Sequence, residues 1–172
     1  MAVSKAAEAG YIKEFTVASN DNKGNISMVG GLVNFQYFES IMDNTVKVSA
    51  VFNDSGDSIN GKTARSGLPI VTEEKVTIKI EDNNKNTLEF SDKKNNPLFI
   101  KNCTPLSEDT RKEVLNLYCV SGEAIKNSRV VLRSRFDGKI SDSVRKIVTE
   151  GNFKGLGSKK KLDIEETSNN YN

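Results

Sequence analysis

The sequence predicts a mainly β fold with a few short helices. Three observations support this: apolar and polar residues alternate with a period of two, turn-forming Asn and Gly are frequent, and only one segment has a clear helical period. The chain has 172 residues, 36% hydrophobic and 28% charged, which suits one globular domain or one domain and the start of another.

The first clear strand is predicted over residues 32–38. Its alternation places Val33, Phe35 and Tyr37 on one face and Asn34 and Gln36 on the other. Before it, residues 1–25 are small and polar, which is typical of an extended arm, with one strand over residues 11–17.

A second strand is predicted over residues 45–54, after a tight connection. Its two faces differ sharply in polarity, as expected for a half-buried strand. The apolar face carries Val46, Val48, Ala50 and Phe52, and the polar face carries Lys47, Ser49 and Asn53.

Four more strands follow the polar loop after residue 54. Turn residues at 82–86 predict that two of them form a hairpin. The last one alternates on both faces, so both of its faces could be covered. The four strands are residues 74–81, 87–90, 98–103 (stopped by Pro105) and 112–121.

The helical period appears only late in the chain. A short helix is predicted over residues 122–127, and a second over residues 140–149, with Ser141 as its N-cap and glycines ending it. A strand over residues 161–167 would follow. The resulting organisation is an arm (1–25), a β domain (26–135) and an incomplete second domain (136–172).

The composition argues against most catalytic chemistry. The chain has no histidine, which removes the most frequent general base and most zinc sites. Its 25 basic and 23 acidic residues give a net charge of +2, so charge does not favour nucleic-acid binding. Cys103 and Cys119 lie in apolar strand contexts and are expected to be buried and unreactive.

Two local patterns suggest ligand sites but do not satisfy the spacing rules. Asp54, Asp57 and Asn60 lack the order and the closing glutamate of an EF-hand. The glycines at 151, 155 and 157 lack the spacing of a phosphate-binding loop and follow a helix, so we interpret them as a linker. The sequence therefore nominates no catalytic, cofactor-binding or metal-binding residue, and no apolar run is long enough to span a membrane.

Several motifs follow one another along the chain: VGGLVNFQYFESI at 29–41, NTV at 44–46, VFNDSG at 51–56, GLPI at 67–70, EEKV at 73–76 and FDGKISDSV at 136–144. Taken in order, they resemble baseplate hub proteins of T-even-type myoviruses, especially those that infect marine bacteria. The resemblance runs from about residue 26 to residue 172.

The resemblance implies a structural, non-enzymatic role in a contractile phage tail. The domain would be a tail-tube-like antiparallel β-barrel or sandwich that self-associates into a ring. Three copies would form the ring if each carries two tube domains, and six if each carries one. Implied partners are the tail tube protein, the central spike protein and other baseplate proteins, without a cofactor, in a virion assembled in the host cytoplasm.

DNA would pass through the lumen of such a ring without specific binding. The residues expected to face the lumen are Asn34, Gln36, Lys47, Ser49 and Asn53. An ordinary solvated sheet face explains the same alternation equally well.

Two other functional classes compete with the hub. A β-sandwich binding module on a virion, such as an adhesin or carbohydrate-binding domain, is the first, although the absence of Trp argues against an aromatic platform. A tail-associated hydrolase is the second, although neither histidine nor a convincing pair of acids supports it.

Overall fold

The structure, a computed structural model, describes residues 10–21, 24–56, 59–109, 112–133, 135–152 and 154–171. The chain divides into two compact units, Met1–Ser121 and Gly122–Asn172. The boundary therefore falls at Ser121–Gly122, earlier than the expected position near residue 135.

The first unit is built almost entirely of strands. The predicted mainly β fold with short helices is confirmed. In chain order the elements are β1 (Tyr11–Ala18), β2 (Asn25–Ser27), β3 (Leu32–Phe38), β4 (Lys47–Asp54), α1 (Ala64–Gly67), β5 (Lys75–Glu81), β6 (Thr87–Phe90), β7 (Leu98–Glu108) and β8 (Glu113–Ser121). Short 3-10 turns precede β3 and follow β6.

Within the described residues these eight strands form one antiparallel sheet. The order along the sheet is β2-β1-β5-β7-β8-β4-β3, and β6 also pairs with β5. Two strands therefore share one edge of β5: β6 pairs with Ile78–Glu81, and β7 pairs with Lys75 and Val76. The hairpin predicted between residues 74–81 and 87–90 is confirmed.

The sheet bends over itself around an apolar core. Phe35 of β3 meets Phe15 of β1 edge-to-face at 6.3 Å between ring centroids, and Tyr37 of β3 lies 5.8 Å from Phe90 of β6. These contacts place one edge of the sheet over strands at the other end, in a sandwich-like arrangement. The largest buried core residues include Phe15, Met28, Leu68, Ile78, Leu98, Ile100 and Leu117.

Residues assigned to an N-terminal arm contribute directly to this core. β1 lies between β2 and β5, and its Phe15 and Val17 are fully buried. The strand predicted over residues 11–17 is therefore confirmed as an inner strand of the sheet. Residues 1–9 lie outside the described part of the chain.

The face predicted for Val33 is wrong. A β-bulge between Leu32 and Asn34 adds one residue to β3, because Leu32 pairs with Phe52 and Asn34 with Val51. A bulged residue stands outside the regular alternation. Val33 is consequently 68% exposed, and Leu32 takes its place beside Phe35 and Tyr37.

The predicted end of β7 before Pro105 is also wrong. The strand continues to Glu108 with two irregularities, at Lys101 and Leu106. Because β5 pairs with β7 only near its beginning, one edge of the strand has no strand partner around Pro105 in the described part of the sheet. A sheet can accommodate proline at such an edge position next to a bulge.

The second unit contains α2 (Gly122–Arg129), β9 (Gly138–Lys139), α3 (Ile140–Thr149) and β10 (Asn170–Tyr171), and β9 pairs with β10. Both predicted helices are confirmed. No strand forms over residues 161–167, and Ser141 is not the N-cap. Ser141 instead lies buried in the first turn, where its backbone N–H donates to Thr167 Oγ1 at 3.4 Å.

The glycine-rich segment after α3 folds back onto the end of that helix. The N–H groups of Leu156, Gly157 and Ser158 donate to carbonyls of α3 and of the residue that follows it, each at 2.8 Å. These carbonyls have no partner inside the helix, so the segment acts as its C-terminal cap. A Cβ at Gly155 would overlap the Ile147 carbonyl oxygen, which explains the need for glycine there.

Candidate functional site

The candidate site is the outward face of the four strands β3, β4, β8 and β7. On β4, buried Val48, Ala50 and Phe52 alternate with Lys47 and Ser49, so the two faces separate cleanly. The same alternation continues on the neighbouring strands. The outward set also contains the apolar residues Phe38, Val51 and Val114. We call its polar members the polar face: Asn34, Gln36, Lys47, Ser49, Asn53, Asn102, Thr104, Asn116 and Tyr118.

The strand register arranges the polar face in rows across the sheet. Gln36 lies opposite Ser49, Ser49 opposite Tyr118, and Tyr118 opposite Asn102. The Ser49 hydroxyl donates to Asn116 Oδ1 at 3.1 Å, which links this row to the next one. Residues opposite each other on antiparallel strands have Cβ atoms about 5 Å apart, so these side chains form a continuous surface.

The polar face is almost uncharged. Among its nine members only Lys47 is charged, and Asp43 accepts hydrogen bonds from Lys47 Nζ at 2.9 and 3.0 Å. A second exposed lysine, Lys101, lies at the bulge next to Asn102. The hydrogen bond and the charge of Asp43 raise the pKa of Lys47. Side-chain amides and hydroxyls provide the remaining polarity, so the face can hydrogen-bond water and neutral groups without attracting ions strongly.

All five residues predicted to face a lumen lie on the polar face. The structure brings Gln36 and Ser49 together directly, and places Asn34 and Asn53 further along the same two strands. Whether this face borders a lumen remains a prediction.

Sequence reasoning missed four members of the face. Asn116 and Tyr118 were visible in the alternation of β8, but apolar residues on both sides of that strand concealed which face is exposed. Asn102 and Thr104 had no usable signal, because the bulge at Lys101 shifts the period of β7.

Three buried acids, Asp54, Glu74 and Glu113, accept hydrogen bonds from the segment that joins β4 to β5. Asp54 accepts the N–H groups of Gly56, at 2.9 Å, and Ala64. Glu113 accepts Arg65 Nη1 at 2.8 Å, and Glu74 accepts the Val71 N–H at 3.0 Å. The Asp54 carboxylate, which belongs to the calcium-like pattern of Asp54, Asp57 and Asn60, therefore already accepts hydrogen bonds from backbone amides. Asp57 lies outside the described residues, among which no set of three or more acids or cysteines is placed to hold a metal.

Cys103 and Cys119 both carry free thiols on neighbouring strands. Burial raises the pKa of the Cys119 thiol to about 12. Burial also raises the pKa of the half-buried Cys103 thiol. The nearby charge of Arg65 lowers this pKa, and the charges of Glu113 and Glu74 raise it. An unperturbed cysteine has a pKa of about 8.5.

We expect both thiols to resist thiol reagents in the folded protein at pH 8, because only the thiolate attacks. In urea both should react at the rate of an ordinary exposed cysteine. Time-resolved labelling with a chromogenic disulfide, followed by mass spectrometry of each peptide, measures this. Immediate labelling of Cys119 in the folded protein would contradict its burial.

Comparison of the chain with protein-family models, with curated proteins and with solved structures gives no match. In the described part of the chain, the helices are too short or too polar for any of them to cross a membrane.

Proposed function

We propose that this protein is a structural subunit of a contractile phage tail, in the baseplate hub ring that joins the tail tube to the central spike. The observation that carries the proposal is the polar face, which extends over four adjacent strands and has Lys47, paired with Asp43, as its one charged member. The resemblance of the strand motifs to myovirus hub proteins supports the same assignment.

A hydrated face with little charge suits a channel for DNA. Duplex DNA is a dense polyanion, and surfaces rich in Lys and Arg hold it by releasing its counterions. On the polar face the one lysine is already paired with Asp43. Amides such as Asn34, Gln36 and Asn116 keep a water layer without capturing phosphates, so DNA in the lumen would slide past.

The opposite side of the same strands is committed to the core. Val48, Ala50 and Leu117 are fully buried there, so only the polar face of these strands can line a channel. In the ring we assign Asn34, Gln36, Lys47, Ser49 and Asn53 to the lumen. The tail tube protein, the central spike protein and other baseplate proteins would contact the remaining surfaces, in a virion assembled in the host cytoplasm, and we propose no enzymatic role.

Native mass spectrometry of the purified chain tests the proposal. We expect closed species of three copies if each protomer supplies two tube domains, or six copies if it supplies one. Cryo-electron microscopy of the closed species should then place Gln36 and Ser49 on the inner wall. A ring with these residues on its outer wall would contradict the lumen assignment, and a strict monomer at high concentration would contradict the ring.

A virion-associated β-sandwich binding module, an adhesin or carbohydrate-binding domain, is the second candidate. Tyr118 favours it, because this aromatic side chain lies between Ser49 and Asn102, and polar groups beside an aromatic ring suit neutral polar ligands. A monomer that binds glycans on an array, and loses them on Tyr118→Ala, would support this alternative.

A further inference from the structure

The connection between β4 and α1 contains a two-residue hairpin turn. Asn60 and Gly61 both have left-handed φ angles, of 50° and 75°. The flanking residues exchange two backbone hydrogen bonds: the Ile59 N–H donates to the Lys62 carbonyl at 3.1 Å, and the Lys62 N–H donates to the Ile59 carbonyl at 2.9 Å. Two positive φ angles between such a pair define a type I′ turn, for which Asn-Gly is a preferred sequence.

An Asn-Gly pair also offers the least steric hindrance to a reaction between the backbone and the asparagine side chain. The chain contains this pair once, at residues 60–61. Glycine has no Cβ that would shield its amide nitrogen. Among the described residues, none has an atom within 4 Å of the position that a Cβ on Gly61 would occupy, and Asn60 is exposed. The pair is therefore open to solvent.

We propose that Asn60 is a site of spontaneous deamidation, an inference that goes beyond the proposed function and needs no partner. The Gly61 amide nitrogen attacks Asn60 Cγ. The new N–Cγ bond closes a five-membered succinimide ring, the Cγ–Nδ2 bond breaks, and Nδ2 leaves as ammonia with the proton of the attacking nitrogen. One water molecule then opens the ring. Opening at Cγ gives aspartate, whereas opening at the backbone carbonyl carbon gives isoaspartate, in which the main chain runs through Cβ and Cγ.

The turn itself sets the rate of this reaction. Ring closure constrains the ψ angle of Asn60 to a range that a type I′ turn does not use, so the two hydrogen bonds between Ile59 and Lys62 must break first. Such an opening is local and leaves the sheet folded. A minor open state populated to about 0.1–10% slows the reaction about 10–1,000-fold relative to the unfolded chain.

Isoaspartate at this position would disturb the packing of α1. It lengthens the main chain by one carbon atom, so Ile59 and Lys62 can no longer close a two-residue type I′ turn. Ile59 is partly buried against the core. Its side chain packs closely on α1, since a Cβ on Gly67 would come within 2.8 Å of Ile59 Cβ. A displaced Ile59 would leave α1 without this contact and lower the stability of the first unit.

Two other pairs in the chain have the composition for the same ring and are better protected. Asn127 precedes Ser128, but both lie in α2, where helical hydrogen bonds restrain the backbone. Asp137 precedes Gly138, but its carboxylate forms an ion pair with Arg135 at 2.6 Å and would have to lose an oxygen instead of ammonia. Asn60 is therefore expected to react first.

Peptide mapping of the full chain tests this site. The purified protein is incubated at physiological temperature and pH, sampled over time, digested and analysed by mass spectrometry. We expect the peptide that contains residue 60 to gain about one dalton and to separate into an aspartate and an isoaspartate form, before any other asparagine peptide changes. Labelling by an isoaspartyl methyltransferase with S-adenosylmethionine detects the isoaspartate form independently.

The unfolded chain and two variants serve as controls. In urea the reaction at Asn60 should accelerate about 10–1,000-fold, because the turn no longer restrains it. Asn60→Gln keeps a side-chain amide but would need a six-membered ring, so its peptide should gain no mass over the same period. Asn60→Asp carries the charge of the product on a normal backbone and should keep the thermal midpoint of fresh protein. Aged protein rich in isoaspartate should melt at a lower temperature.

The outcomes separate the site from its structural effect. Rapid reaction in urea, with no change at residue 60 in the folded chain, would overturn the site, because the turn would then stay closed. A mass gain at Asn127 before Asn60 would also overturn it. Equal thermal midpoints for fresh protein and for protein rich in isoaspartate would refute the effect on α1.

Discussion

Replacing Phe15 by alanine is expected to remove about 3–5 kcal/mol from the free energy of unfolding, the range for deleting a buried aromatic side chain. The Phe15 side chain is fully buried, and its ring packs against Phe35. Phe15 lies opposite Ile78 on the adjacent strand β5. Its removal leaves a cavity between two parts of the sheet that cannot both move inward. Because a typical domain is stable by about 5–15 kcal/mol, a large share of the total would be lost.

Urea unfolding followed by circular dichroism measures this change as a lower midpoint at an unchanged slope. Phe38→Ala is the matched control, since it deletes the same ring from a 48% exposed position on β3. The control should cost less than about 1 kcal/mol. Equal costs for the two substitutions would mean that β1 does not contribute to the core.

Gly31→Ala should destabilise the protein by about 2–3 kcal/mol, as expected for an atom forced into a packed site. The added methyl group would collide with the Asn53 carbonyl oxygen and the Phe52 ring. The first of these belongs to the backbone of β4, which its pairing with β8 holds in place. The turn that enters β3 must therefore shift, and the bulge after it would be disturbed.

The adjacent glycine provides the control for this prediction. Gly30→Ala places its methyl group in open space and should change the free energy of unfolding by less than about 0.5 kcal/mol. Chemical denaturation of both variants under the same conditions provides the comparison. If the two variants unfolded at the same urea concentration, the close approach between Gly31 and β4 would be refuted.

The strands were predictable because burial of one face imposes a period of two on the sequence. Residues 45–54 show this best, since the faces predicted for Lys47, Val48, Ser49, Ala50, Phe52 and Asn53 agree with β4. Val51, which faces outward, and buried Asp54 were not assigned to a face. The same period fails wherever the backbone inserts a residue. Val33 and Asn102 were misassigned or missed because bulges at Val33 and Lys101 have no marker in the sequence.

The sequence also could not predict burial that depends on contacts between segments far apart along the chain. Ala64 of α1, Leu68 and Ile70 belong to a segment with no hydrophobic period, yet all three are buried in the core. Ser141 looked like a helix cap because serine often is one, but the Thr167 hydroxyl, which no local rule connects with it, lies within hydrogen-bonding distance. The sequence therefore predicted only part of the polar face, because its members on β7 and β8 can be identified only when the strand register is known.

The strand order also determines how the chain must fold. β1 is synthesised before β5, yet Thr16 pairs with Thr77, and Ala50 of β4 can pair only after Leu117 of β8 has been synthesised. Pairings between distant segments require the closure of large loops, which slows folding relative to hairpin-only sheets. During synthesis β1 and β4 therefore have unpaired edges until most of the first unit is made. We expect this interval, rather than the finished fold, to be the stage most vulnerable to aggregation.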